Sequence, residues 1–195
     1  MVKWEKVRTE EGCHLKKFEE KTTRTEQIYN GKVVRLQVDD VTLPNGKTSK
    51  REIIKHPGAV AVIPITKDNK IIFVEQYRKP LEKSLVEIPA GKLEPGEKPE
   101  ATGIRELEEE TGYTTKELEF VTSFYTSPGF ADELMYIYIS DKLVALEETV
   151  DGDDDEFVAI IELTLAEAEQ YVKENRIHDA KTNYAILYLR TLEGM

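Results

Sequence analysis

The sequence predicts an α+β or αβα-sandwich fold, and three observations carry that prediction. Dense apolar runs, AVAVIPI at 59–65 and IIFVEQY at 71–77, read as buried central strands. Segments 99–111, 165–176 and 180–192 follow a helical rather than an alternating pattern. Strands and helices are mixed along the chain without strict βα alternation.

Taken in order, residues 1–20 hold Trp4 and several charges without periodicity and read as a weakly ordered extension or accessory element. Residues 21–56 form an N-terminal β element. Within it Val34, Leu36 and Val38 alternate with Arg35, Gln37 and Asp39, and Pro44-Asn45-Gly46 is a turn signal, so 32–56 reads as a β-hairpin. A lone hairpin is only marginally stable and needs a partner surface, either the main domain or a second subunit. Residues 57–195 make the main domain. Lys67 to Lys70 turn the chain between the two apolar runs, and LVEIPAG (85–91) is a short strand. LEFVTSFY (118–125), MYIYIS (135–140) and EFVAIIEL (156–163) are further strands, and Thr164 is placed to cap the helix that follows.

A chain of 195 residues is long enough for one substantial core and a smaller appendage. No apolar run approaches the roughly 18 residues of a spanning helix, and the opening MVKWEKVRTEEG lacks the apolar centre of a signal peptide. Cys13 is the only cysteine, so no intrachain disulfide forms and a cytoplasmic location is expected. A net charge of −11 argues against a nucleic-acid partner, whose phosphates must be met by Lys and Arg. A small anionic substrate is still compatible, because metal ions and a few placed arginines reverse the potential locally.

The most informative stretch is GKLEPGEKPEATGIRELEEETGY, residues 91–113. Pro99 suits the first turn of a helix and Gly112 its C-terminal cap. At about 100° per residue, Glu106, Glu109 and Glu110 share one arc, while Ala101, Ile104 and Leu107 share the opposite one, predicted to pack. Like charges at i,i+3 and i,i+4 each cost about 0.2–0.5 kcal/mol, and the last two sit at the negative end of the helix dipole. An acidic helix is ordinarily a solvated face. A cation would neutralise this one, and oxygen-only ligands favour Mg²⁺ or Mn²⁺.

The full pattern is Gly91, five residues, Glu97, seven residues, Arg105-Glu106-Leu107, one residue, Glu109-Glu110, one residue, Gly112. It resembles the signature box of the Nudix hydrolases at every fixed position, and departs only at the final aliphatic slot, held by Tyr113. With VEQYRKPLEKSLVEIPAGKLEPGE and SPGFADE at 127–133, where Pro128 stands about fifteen residues beyond the box, the chain is similar to the ADP-ribose pyrophosphatase branch, of the bacillus type, from about Lys21 to Leu192.

That resemblance implies a Nudix αβα sandwich with a mixed central sheet and Mg²⁺-dependent hydrolysis of the ADP-ribose diphosphate to AMP and ribose 5-phosphate. Glu106, Glu109 and Glu110, with the Ala90 carbonyl, would hold two or three Mg²⁺ ions. Gly91 and Glu97 would support the site, and Arg105 would fix a neighbouring glutamate. It also implies substrate contacts from Arg78, Glu87, Pro128, Gly129 and Glu133. Arg51 and Glu52 would hold the adenine or terminal ribose, from the other subunit of a homodimer with exchanged N-terminal segments. Val33 stands where several relatives carry the adenine-stacking aromatic, and Tyr29 is an alternative platform. A catalytic carboxylate is expected from the acidic run 151–156, Glu156 first and Asp154 second.

Other readings were weighed against these. An EF-hand over Asp151, Asp153, Asp155 and Glu162 fails at position 6, where Glu156 replaces the required glycine. His14, His56 and His178 have no ligand spacing, and no serine-nucleophile or Walker pattern occurs. The alternatives to ADP-ribose hydrolysis are another nucleoside diphosphate derivative as substrate, such as a nucleotide sugar or dinucleotide, and a sensing module that binds ADP-ribose without cleaving it.

Overall fold

The computed structural model describes residues 17–147 and 157–193. The chain divides into two compact units. The first runs to His56 and includes Gly129–Ala131; the second holds Pro57–Pro128 and the chain from Asp132 onward.

The first unit is a three-stranded antiparallel sheet in the order β1-β2-β3, with β1 at Lys21–Asn30, β2 at Arg35–Thr42 and β3 at Thr48–Lys55. β2 and β3 are the expected hairpin, in register from Arg35 opposite Lys55 to Thr42 opposite Thr48. Gly46 takes a φ of 79° in the turn and donates its N–H to the Leu43 carbonyl at 2.9 Å. β1 falls within the expected N-terminal β element, ahead of its hairpin. All ten of its residues are exposed, so it carries no apolar periodicity. Its ladder to β2 is supplemented by polar ties, Thr22 Oγ1 donating to Asp39 Oδ2 at 3.2 Å and Thr23 Oγ1 to the Asp40 carbonyl at 3.0 Å. Phe130 and Ala131 join the unit at Ile54, whose N–H donates to the Phe130 carbonyl at 2.8 Å.

The second unit begins with β4 (Ala59–Pro64), buried at every residue, and β5 (Ile71–Arg78). β6 (Lys83–Glu87) and β7 (Ala90–Lys92) follow, then α1 (Pro99–Thr111). β8 (Tyr113–Thr114), β9 (Glu119–Tyr125), β10 (Leu134–Ser140), β11 (Val144–Ala145) and β12 (Val158–Leu163) precede α2 (Leu165–Lys173) and α3 (Ala180–Glu193). One sheet has the order β7-β4-β10-β9 and is mixed, since β10 runs parallel to β4 and antiparallel to β9. A second, antiparallel sheet has the order β12-β5-β6, and β8 pairs with β11.

β4 alternates between two hydrophobic clusters, as a strand buried on both faces must. Ala59, Ala61 and Ile63 pack in a cluster with Phe73, Ile137 and, from α2 and α3, Ala168, Ala185 and Ile186. Val62 points the other way, to Ile72, Leu143 and Leu107 of α1. Helices therefore cover both faces, which is the expected αβα arrangement. Among the described residues no helix is long and apolar enough to cross a membrane.

Two expectations need correction. LVEIPAG is not one strand: it breaks at Ile88-Pro89 into β6 and β7, which belong to different sheets. Pro89 has no N–H to extend a ladder, but its carbonyl accepts from Val62 N at 3.0 Å. The buried face of α1 is also rotated from the predicted arc, of which Leu107 packs in the core and Ile104 is half-buried. Ala101 is exposed, whereas Thr102, Gly103, Glu106, Leu107, Glu110 and Thr111 are buried.

Gly103 sets how closely α1 approaches β4. A Cβ there would lie 3.1 Å from Leu118 Cδ1, 3.2 Å from Val60 Cγ1 and 3.3 Å from Val62 Cγ2. Gly in a helix interior costs about 1 kcal/mol against Ala, which close packing offsets. Gly103→Val is expected to destabilise the protein by about 2 kcal/mol through overpacking, measured as a lower urea midpoint at unchanged m-value.

Candidate active site

The site grows from the turn that joins the two sheets. The backbone of β7 passes under α1, and Gly91 is the point of contact. A Cβ on Gly91 would fall 1.8 Å from Cδ of Glu106 and 1.9 Å from its Oε1. The Glu106 carboxylate thus occupies the space a side chain would fill at residue 91. Next to it, the Ala90 N–H donates to Glu110 Oε2 at 2.9 Å, and Gln76 Nε2 lies 3.5 Å from Glu110 Oε1. Glu106 and Glu110 are therefore buried, at 8% and 5% exposure, although both are acidic.

Arg105 answers their charge. Its Nη1 lies 2.8 Å from Glu106 Oε1 and 2.9 Å from Glu109 Oε2, so two carboxylates converge on one cationic nitrogen. Its Nε and Nη2 reach Glu97 at 3.4 and 3.3 Å, and Nη2 also donates to the Lys92 carbonyl at 3.3 Å. Thr102 Oγ1 donates to Glu97 Oε2 at 2.7 Å. Burial opposes ionisation of Glu97, but the bonds from Thr102 and Arg105 prevail and hold it below the usual carboxylate range. Burial likewise opposes the Arg105 charge, and its carboxylate partners raise its pKa regardless.

In the structure the three helix glutamates are engaged within the protein. Among the described residues no three Asp, Glu, His or Cys side chains stand together as a ready coordination shell. Glu106 and Glu109 face Arg105, and Glu110 faces the Ala90 amide. The donor set still suits a hard cation: all its ligands are oxygens, two of them already bracket one positive atom, and the Gly91 seat keeps Glu106 against the backbone.

Beside Glu110 a second cluster closes the end of β5. Arg78 Nε donates to Glu87 Oε1 at 2.7 Å and Nη2 to Oε2 at 2.8 Å, a two-pronged pair. Lys181 Nζ, from the first turn of α3, donates to the same Oε2 and, at 3.0 Å, to Asp179 Oδ1. Burial pushes the Glu87 carboxyl up, yet the Arg78 bonds and the Lys181 charge outweigh it and leave its pKa below the ordinary value. Burial also disfavours the Arg78 charge less than Glu87 favours it, so the guanidinium is held firmly protonated.

The remaining predicted residues are spread more widely. Glu133 accepts from Thr126 Oγ1 and fastens the ends of the 126–133 loop, in which Pro128 lies within a turn. Gly129 groups with the first unit. In that unit, Arg51 on β3 forms its own two-pronged pair with Glu20, at 2.8 and 2.5 Å, and Glu52 is exposed. Tyr29 and Val33 are exposed, with the Tyr29 ring over Gly31. Asp154 and Glu156 lie outside the described residues, as do Asp151, Asp153 and Asp155 of the rejected EF-hand reading. Sequence reasoning missed Gln76, Asp179 and Lys181. For Lys181 a signal existed: it falls at i, i+4, i+7 with Ala185 and Tyr188, on the apolar stripe of α3.

The Glu87 cluster makes acid stability testable. Its folded pKa lies below the unfolded one, so its contribution is complete above the unfolded carboxylate value of about 4.3 and is lost as pH falls through the folded value. Glu87→Gln, which takes from Arg78 and Lys181 the buried carboxylate they share and leaves Lys181 only Asp179, is expected to cost about 3 kcal/mol at pH 7. The gap between variant and wild type in urea unfolding should narrow below about pH 4.

The NUDIX domain model matches residues 55–184, and the model of a nucleoside diphosphate sugar hydrolase N-terminal domain matches residues 20–54. The chain is 63% identical to a methanol dehydrogenase activator of Bacillus methanolicus, over 92% of this chain and 97% of that protein. It is 58% identical to an ADP-ribose pyrophosphatase of Bacillus subtilis, over 93% of this chain and 98% of that protein. A crystal structure of an ADP compounds hydrolase superposes with a TM-score of 0.79 at 22% identity, covering 90% of this chain and 95% of that one, which shows a shared fold. The chain belongs to the NUDIX family, and is a Nudix hydrolase.

Proposed function

We propose that this Nudix pyrophosphatase hydrolyses the diphosphate of ADP-ribose to AMP and ribose 5-phosphate in the cytoplasm. The observation that carries the chemistry is the Gly91 seat, which packs the Glu106 carboxylate against the backbone beside Glu110, with Glu109 converging on the same cationic nitrogen as Glu106. The choice of ADP-ribose is supported by the 58% identical pyrophosphatase of Bacillus subtilis.

Glu106, Glu109 and Glu110, with the Ala90 carbonyl, would hold Mg²⁺ or Mn²⁺, as two or three ions. When bound, the metal supplies positive charge to the diphosphate and acidifies a coordinated water. The protein's own part is positioning. Arg105 and Glu97 fix the glutamates, and Arg78, held by Glu87, meets the diphosphate with a planar guanidinium. A carboxylate of the acidic run, Glu156 before Asp154, orients or deprotonates the water as it attacks phosphorus in line. Pro128, Gly129 and Glu133 shape the loop over the substrate. Arg51 and Glu52 hold the adenine or terminal ribose, with Tyr29 as stacking platform, from the second subunit of a homodimer. Among the described residues β1 is an edge strand, exposed along ten residues, and offers a surface on which N-terminal segments can be exchanged.

A second reading has its own support in the 63% identical methanol dehydrogenase activator of Bacillus methanolicus. In it the chain activates a methanol dehydrogenase.

Incubation with Mg²⁺ and a panel of ADP-ribose, nucleotide sugars and dinucleotides, with product analysis, separates these readings. The highest kcat/KM is expected for ADP-ribose, with AMP as product. Tight binding without product, a clearly better alternative substrate, or stimulation of a purified methanol dehydrogenase without ADP-ribose turnover would each overturn the substrate assignment. Glu110→Gln should lower kcat by at least about a hundredfold with the fold retained, and of Glu156→Gln and Asp154→Asn at least one should lower kcat. Light scattering should give a dimer; a fully active monomer would count against the exchanged segments.

A further inference from the structure

We propose that Lys181 is a positioning residue for Arg78: by taking a share of the Glu87 carboxylate from α3, it leaves the Arg78 guanidinium with net positive charge to offer a diphosphate. This rests on the reading of Arg78 as the diphosphate ligand.

Arg78 commits Nε and Nη2 to Glu87. An isolated arginine–glutamate pair is neutral overall and attracts an anion weakly. Here the oxygen that accepts from Arg78 Nη2 also accepts from Lys181 Nζ. Two cations share the Glu87 carboxylate, and Asp179, which accepts from Lys181 Nζ at 3.0 Å, brings the four groups into balance. Exposure decides which charge a ligand meets. The Arg78 side chain is 38% exposed, against 3% for Glu87 and 10% for Lys181. Arg78 is the member that can reach a ligand, and Lys181 acts through it.

The placement of Lys181 is costly and specific. It stands in the first turn of α3, where the helix dipole disfavours a cation, and a buried lysine needs partners. Asp179 provides one: its Oδ1 accepts from Lys181 Nζ at 3.0 Å and from the Thr182 N–H at 3.1 Å, capping the helix as it steadies the lysine. The Ile88 N–H donates to Thr182 Oγ1 at 3.1 Å, pinning the same turn to the residue after Glu87. Lysine is not needed to hold α3 in place, since the neutral Ile88–Thr182 bond and the apolar stripe do that. Its charge is what the turn adds.

Steady-state kinetics of the full chain with Mg²⁺ and ADP-ribose provide the test. Lys181→Met is expected to raise KM about tenfold, the order expected when one nearby unit charge is lost, with kcat changed less than about threefold, and Lys181→Arg should restore KM. In an Arg78→Met background the Lys181 substitution should add nothing further, because both act through one contact. Additive effects on KM, or a Lys181→Met enzyme with wild-type KM, would overturn the proposal. Asp179→Asn keeps an equally good cap and removes one negative charge, so KM should fall; a rise overturns the proposal, and this variant decides if Lys181→Met does not fold. If wild type fails to cleave ADP-ribose, the substrate reading falls alone, and calorimetric affinities of the same variants for inorganic pyrophosphate still read the Lys181–Arg78 coupling.

Discussion

The structure depends on one missing side chain. Because residue 91 is glycine, the Glu106 carboxylate lies against the backbone of β7, and α1 can come down onto the turn that joins the two sheets. That approach brings Glu110 within reach of the Ala90 amide and leaves Glu106 and Glu109 bracketing Arg105. Any larger residue at 91 would displace the Glu106 carboxylate from its buried seat. Gly103 plays the matching part on the core side of the helix, so α1 is held close to the sheet at two points by the same device.

The break at Ile88-Pro89 follows from the same geometry. A single strand through 85–91 would keep Glu87 and Ala90 in one sheet with their side chains on opposite faces. Splitting it lets β6 carry Glu87 to the Arg78 and Lys181 cluster, while β7 carries Ala90 and Gly91 under α1. Two charged clusters result, one built on Arg105 and one on Arg78.

How far the sequence foretold this varies by residue. α1 begins at Pro99 and ends at Thr111 with Gly112 at a φ of 70°, as the punctuation of Pro and Gly implied. The buried runs became β4 and β5 because continuous apolar residues leave few other places for a strand. What stayed illegible was polar and non-local. β1 is held by its ladder and by threonine–aspartate bonds, which leave no hydrophobic period. The inward turn of Glu106 and Glu110 depends on a glycine fifteen residues before Glu106, and helical arcs drawn from α1 alone put them on the solvent side. Lys181 meets Glu87 across 94 residues, a pairing that no window along the chain can register.

Charge connects these observations. A protein of net charge −11 repels an anionic substrate at long range, but ionic screening limits that repulsion to about 8 Å at physiological salt. Inside that distance only the local balance counts. Around Glu87 the balance is set by pairing: Arg78 and Lys181 against Glu87 and Asp179, with the negative members and Lys181 more buried and Arg78 turned toward solvent. Around α1 the balance is negative, with three helix glutamates and Glu97 against Arg105, whereas around Glu87 it is even with the exposed member positive. On the proposed reading, a diphosphate with divalent ions would meet the two clusters together, because it carries both signs and either cluster alone would select only half of it.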